Sequence, residues 1–184
     1  MEHLLTIKEA VKAFEIAEAR RDAGDKMLQQ LRGAVGRGLL RHEDSAGPKG
    51  ALRFSVSEII IARILLAVVN LGLKGDELAS LNSSLRNEEA DRAISDVLSL
   101  FEDLNRKTNA DAPRINFEFF RYLKIGDEPI RSTAYFVFDG EYGEEIDPKI
   151  PNVRFRGGTI EAVVTIPFSK LAMDTVRGIL TVKQ

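Results

Sequence analysis

The sequence predicts an α+β protein, and three observations carry that expectation. Apolar residues recur at helical spacing through residues 7–35, 55–70, 76–85 and 87–107. A polar insert containing Gly47-Pro48, flanked by Leu39-Leu40 and by Leu52 to Phe54, reads as a small β-ribbon set between two of those helices. After the polar linker Thr108 to Pro113 the composition turns aromatic and β-branched, as in strands.

Taken in order, Thr6-Ile7-Lys8-Glu9 fits a capping box, so a first helix starts there, with Ile7, Ala10, Val11, Phe14 and Ala17 on one stripe. Gly24 interrupts it. A second helix runs from about Asp25 to Val35 through Met27, Leu28, Leu31 and Val35, closed by Gly36 and Gly38. Ser55-Val56-Ser57-Glu58 is a second capping box, opening a third helix that reaches about Asn70 and is capped by Gly72. Its run from Ile59 to Val69, broken only by Arg63, is about half a membrane span and marks a buried core helix. A short fourth helix, Asp76 to Leu85, uses Leu78, Leu81 and Leu85. In residues 87–107, Ala90, Ile94, Val97, Phe101 and Leu104 follow heptad spacing. Two heptads leave both packing on the same chain and dimerisation open. Strands are expected at Ile115 to Ile125, Ile130 to Asp139 and Asn152 to Pro167, and a closing helix at Phe168 to Leu180. The expected organisation is residues 1–85, a linking or dimerisation helix over 86–109, and a small α+β domain over 113–184.

At 184 residues, 44% hydrophobic and 29% charged, the balance is that of a globular protein. The net charge is -2, so any affinity for nucleic acid must come from local segregation of charge. Residues 20–53 supply it: Arg20, Arg21, Lys26, Arg32, Arg37, Arg41, Lys49 and Arg53 stand against Asp22, Asp25, Glu43 and Asp44, a local excess of +4. The absence of cysteine excludes disulfides, thiolate metal sites and cysteine nucleophiles. Only His3 and His42 could supply imidazole, and a lone loop histidine reads as solvated. The acidic stretch from Asp139 to Asp147 lacks the alternating spacing of a calcium loop and reads as a hairpin loop. No Ser-His pair or phosphate loop is visible, so neither enzymatic activity nor a cofactor is expected. Acidic Glu2 and an immediate helical pattern give no signal peptide, which makes a cytoplasmic protein the simplest reading.

Helix, basic ribbon and helix in succession suit a winged helix-turn-helix, in which one helix lies in the major groove and the ribbon grips the backbone. The spacing of Leu31-Arg32, Gly38-Leu39-Leu40, Gly50, Phe54, Glu58 and Leu71-Gly72-Leu73 with Glu77-Leu78 resembles the MerR-like family of bacterial transcription regulators over about residues 5–80. That resemblance implies a dimeric, sequence-specific regulator of double-stranded DNA with a C-terminal module for an unidentified small-molecule or protein effector. Gly33-Ala34 stands where the family has aromatic residues, Leu52 where it often has arginine, and the stretch from Thr6 to Leu31 is longer. The phosphate contacts fall to the eight basic residues, and Gln29, Gln30 and Arg32 are the candidates for reading base edges. The acidic pI of about 5.8 and the altered ribbon keep a protein-interaction adaptor as the alternative.

Overall fold

The computed structural model describes residues 4–19, 23–43, 51–104, 115–122, 132–137 and 160–183. It is mostly helical with small antiparallel sheets, an α+β architecture. Strand β1 (Leu5–Thr6) leads directly into α1 (Ile7–Glu18), and the capping box is formed. The Glu9 amide donates to Thr6 Oγ1 at 3.3 Å, and the Thr6 amide donates to the Glu9 carboxylate at 2.8 Å. The helix stops at Ala19, which takes a left-handed φ of 53°, and not at Gly24. Gly24 instead opens α2 (Gly24–Gly36), where a side chain would run into the Glu15 carboxylate.

Helix α2 closes through Gly38, whose φ of +69° suits glycine. Its amide donates to the Val35 carbonyl and that of Leu39 to the Ala34 carbonyl, both at 2.9 Å. Leu39 and Leu40 are thereby used in closing the helix and, at Leu40, in the core, so they do not form the ribbon strand expected of them. Pairing starts later, where Glu43 bridges Arg53 with an amide-to-carbonyl bond of 2.8 Å. On its other side β2 (Arg53–Phe54) pairs antiparallel with β1, Leu5 opposite Phe54 and Thr6 opposite Arg53. The N-terminal strand is thus a partner of the ribbon, which periodicity alone did not indicate.

Helix α3 (Val56–Asn70) is buried on nearly every side, with Ile59, Ile60, Ile64, Leu65 and Leu66 all in the core. Arg63 is tolerated within it because its guanidinium pairs with Glu18 and lies 5.8 Å from the Phe14 ring centroid. Burial pushes that guanidinium below its ordinary pKa, while Glu18 and then Asp174 favour its charged form. The second capping box is only half made. Ser55 Oγ accepts the Glu58 amide at 3.2 Å, but the Glu58 carboxylate turns away to other partners. Helices α4 (Asp76–Ser84) and α5 (Glu88–Leu104) follow, with Gly72 at a φ of +93° in the turn after α3.

Strands β3 (Asn116–Tyr122), β4 (Ser132–Val137) and β5 (Ile160–Ile166) form an antiparallel sheet in the order β4-β3-β5. Phe117 and Phe136 lie 4.9 Å apart, and Phe136 meets Phe168 edge to face at 5.0 Å, so the sheet is fastened to α6 (Phe168–Lys183) by aromatic contacts. The Ile115 amide donates to Ser169 Oγ and the Ser169 amide to the Ile115 carbonyl. Helix α6 then returns to pack against α1 and α3. The approach is so close at Gly178 that a Cβ there would collide with the Ala13 carbonyl. One buried cluster runs from Leu5 to Ile179, crossing the boundaries expected near residues 85 and 113, because the last helix completes the core of the first.

The heptad stripe of α5 also serves this core. Ala90 and Val97 are 0% exposed and Ile94 is 4% exposed within a single chain, so these three are covered without a partner. The side chains of Phe101 and Leu104 lie outside the described residues. The acidic stretch from Asp139 to Asp147 also lies outside them.

Candidate nucleic-acid interface

The inward face of α2 is set by Met27, Leu31 and Ala34, which are buried. By helical geometry the opposite face presents residues 25, 26, 29, 32, 33 and 36. Lys26, Gln29 and Arg32 are all exposed there, and the chain brings them together on one surface. Gly33 and Gly36 continue it with open space where a Cβ would stand. Another backbone can therefore approach this turn of the helix without a side chain intervening.

Gln30 is placed differently. It is half-buried, and its Nε2 donates to Asn70 Oδ1 at 3.2 Å, tying α2 to the end of α3. That bond engages the Gln30 side chain with α3, whereas Gln29 is exposed. Arg37 is exposed, with Nε donating to the Gly33 carbonyl at 3.1 Å, where a cation complements the helix C-terminus.

Arg41 and Arg53 belong to the ribbon. Both are exposed, while the intervening pattern puts Phe54 at 0% exposure and Leu52 half-buried. Leu52 and Phe54 therefore face the core, and Arg53 points to the opposite side of the strand, as the alternation of a strand requires. Glu43, across from Arg53, is the one described carboxylate on the ribbon. His42 sits between these groups, its Nδ1 3.1 Å from the Glu43 carbonyl oxygen and its ring edge-on to Phe54 at 6.3 Å. The loop histidine is nonetheless exposed, as expected of it. Arg20, Arg21 and Lys49, the remaining predicted contacts, lie outside the described residues.

Two residues that support this surface were not foreseen. Arg86, just beyond α4, donates from Nη1 to Glu58 Oε2 at 2.9 Å and from Nη2 to Glu58 Oε1 at 2.6 Å. The same Nη2 lies 2.6 Å from the Leu39 carbonyl, and Glu58 Oε1 also accepts the Arg41 amide at 2.7 Å. Glu58 had a sequence signal, its place four residues after Phe54. Arg86 had none, since it lies 28 residues from its carboxylate partner.

Elsewhere, an open cleft of about 300 Å³ is lined by Ser57, Asp91, Ile94, Ser95, Leu98 and Ser99, between α3 and α5. Among the described residues no group of three or more histidines and carboxylates could hold a metal ion. No described helix is long and apolar enough to cross a membrane. The chain matches no family model, and no curated protein is significantly similar to it.

Proposed function

We propose that this chain is a cytoplasmic, sequence-specific DNA-binding transcription regulator built on an N-terminal winged helix-turn-helix, acting by binding without covalent chemistry. The observation that carries this reading is the exposed face of α2, where Lys26, Gln29 and Arg32 stand clear of the core beside a side-chain-free turn at Gly33 and Gly36. A helix of this kind suits the major groove, with Gln29 and Arg32 directed at adenine and guanine edges. The second support is the ribbon, in which Arg53 faces outward from a strand held on both sides, by Glu43 and by Thr6. Arg41 and Arg53 there meet phosphate, and fix the register in which α2 is presented.

The regulator acts as a homodimer on a roughly palindromic site. Its copies meet on a surface other than Ala90, Ile94 and Val97, which lie inside the chain. Residues 113–184 serve an effector or self-association function. Gel shifts tiled across the neighbourhood of its own gene, over a salt series, test the reading: a discrete fragment is retarded, less so as salt rises. The net charge of -2 favours one rival, an adaptor that uses the same scaffold to hold a protein. A stable protein partner, together with no retardation of any fragment at low salt, selects the adaptor.

A further inference from the structure

The ribbon is short, and only a two-residue ladder and one bridge hold its described part in register. Its entry from α2 is fixed by something else. The Glu58 and Arg86 side chains are 8% and 10% exposed, and together they hold the segment Leu39 to Arg41 at two backbone groups, the Leu39 carbonyl and the Arg41 amide. Arg86 is itself placed rigidly, because α4 ends on buried Leu85 and the Arg86 amide donates to the Ser83 carbonyl at 3.1 Å. Removing two opposite charges from water is a poor route to stability, since hydrophobic residues of similar volume commonly do as well. What the pair supplies is geometry, because a planar fork bound to both carboxylate oxygens and a carbonyl has one arrangement.

We propose that Arg86 is a positioning residue for the ribbon: through Glu58 it fixes the path from Leu39 to Arg41, and hence where Arg41 and Arg53 stand when they meet phosphate. The last step rests on the DNA-binding reading; the control of the ribbon by Arg86 does not. Since Arg86 follows α4, a disturbance of α4 is transmitted to the phosphate-binding side chains without touching α2.

The test compares the full-length wild type with R86K and with the double variant R86M/E58Q, which removes the pair without leaving a bare buried charge. Amide exchange at Glu43, whose N–H bonds Arg53, reports the ribbon without any DNA. It is expected to quicken about tenfold in R86M/E58Q while α3 amides keep their protection, with R86K in between because an ammonium cannot span all three acceptors. On a retarded DNA fragment, the slope of log affinity against log salt is expected to shrink by about one to two as the ribbon contacts are lost, a change that loss of folded protein does not produce. Unchanged Glu43 protection, or equal acceleration throughout α3, overturns the positioning role. If the wild type binds no DNA, the functional reading falls and the exchange data alone decide the role of Arg86.

Discussion

At Glu9 one carboxylate joins both ends of the chain: it accepts the Thr6 amide at the start of α1, and Lys183 of α6 donates to it at 2.9 Å. The Thr6 amide, followed by Lys183, lowers its pKa from 4.5 to about 2. A carboxyl group whose pKa is lower in the folded state stabilises the fold above its unfolded value and loses that contribution as pH falls through the folded one. The stability difference between wild type and Glu9→Gln, which keeps the capping geometry, therefore shrinks between pH 4.5 and about 2 in urea titrations. Gly178 is a second residue whose chemistry is dictated by a neighbour. Gly178→Ala forces α6 off the Ala13 carbonyl and costs about 1–3 kcal/mol, measurable as a lower denaturant midpoint. The Thr6 and Glu9 pairing was legible from the spacing of two residues. The parts of Lys183 and Gly178 were not, because both depend on a helix more than 150 residues away in sequence.

Among the elements, α5 shows where periodicity stops being informative. Heptad spacing says that a face is covered, but not whether the covering surface belongs to the same chain or to another. Here Ala90, Ile94 and Val97 are covered by the chain itself. Ile94→Ala accordingly costs about 2–5 kcal/mol, with a melting temperature lowered by the same amount at every protein concentration. A stripe that served as a dimer seam would instead show a loss that depends on concentration. The helix ends were readable because glycine at positive φ and Ser or Thr at N-caps act locally, as at Gly38, Gly72, Thr6 and Ser55. The ribbon was readable only in part. Arg53 and Phe54 form a strand as expected, yet their ladder partner is Leu5–Thr6, a pairing set by the three-dimensional return of the chain.

Over the whole molecule, α6 makes the β-rich C-terminal part and the helical N-terminal part share one core. The expectation of a separate C-terminal domain rested on the polar composition of Thr108 to Pro113, residues that lie outside the described ones. A single cooperative thermal transition is expected, seen at the same temperature by far-UV dichroism and by an aromatic probe. Truncation after residue 109 should abolish it, since α1 and α3 then lose the helix packed on them. Charge, too, matters at this scale, for a molecule of net charge -2 binds a polyanion only if its cations are gathered on one side. The measurement that bears most directly on the DNA-binding account is the salt dependence of affinity for the best retarded fragment, in wild type and in Arg32→Ala/Arg53→Ala. Affinity is expected to fall steeply with salt, and the double variant to bind more weakly with a slope shallower by about one to two. Full affinity in the double variant, or a wild type indifferent to salt, contradicts it.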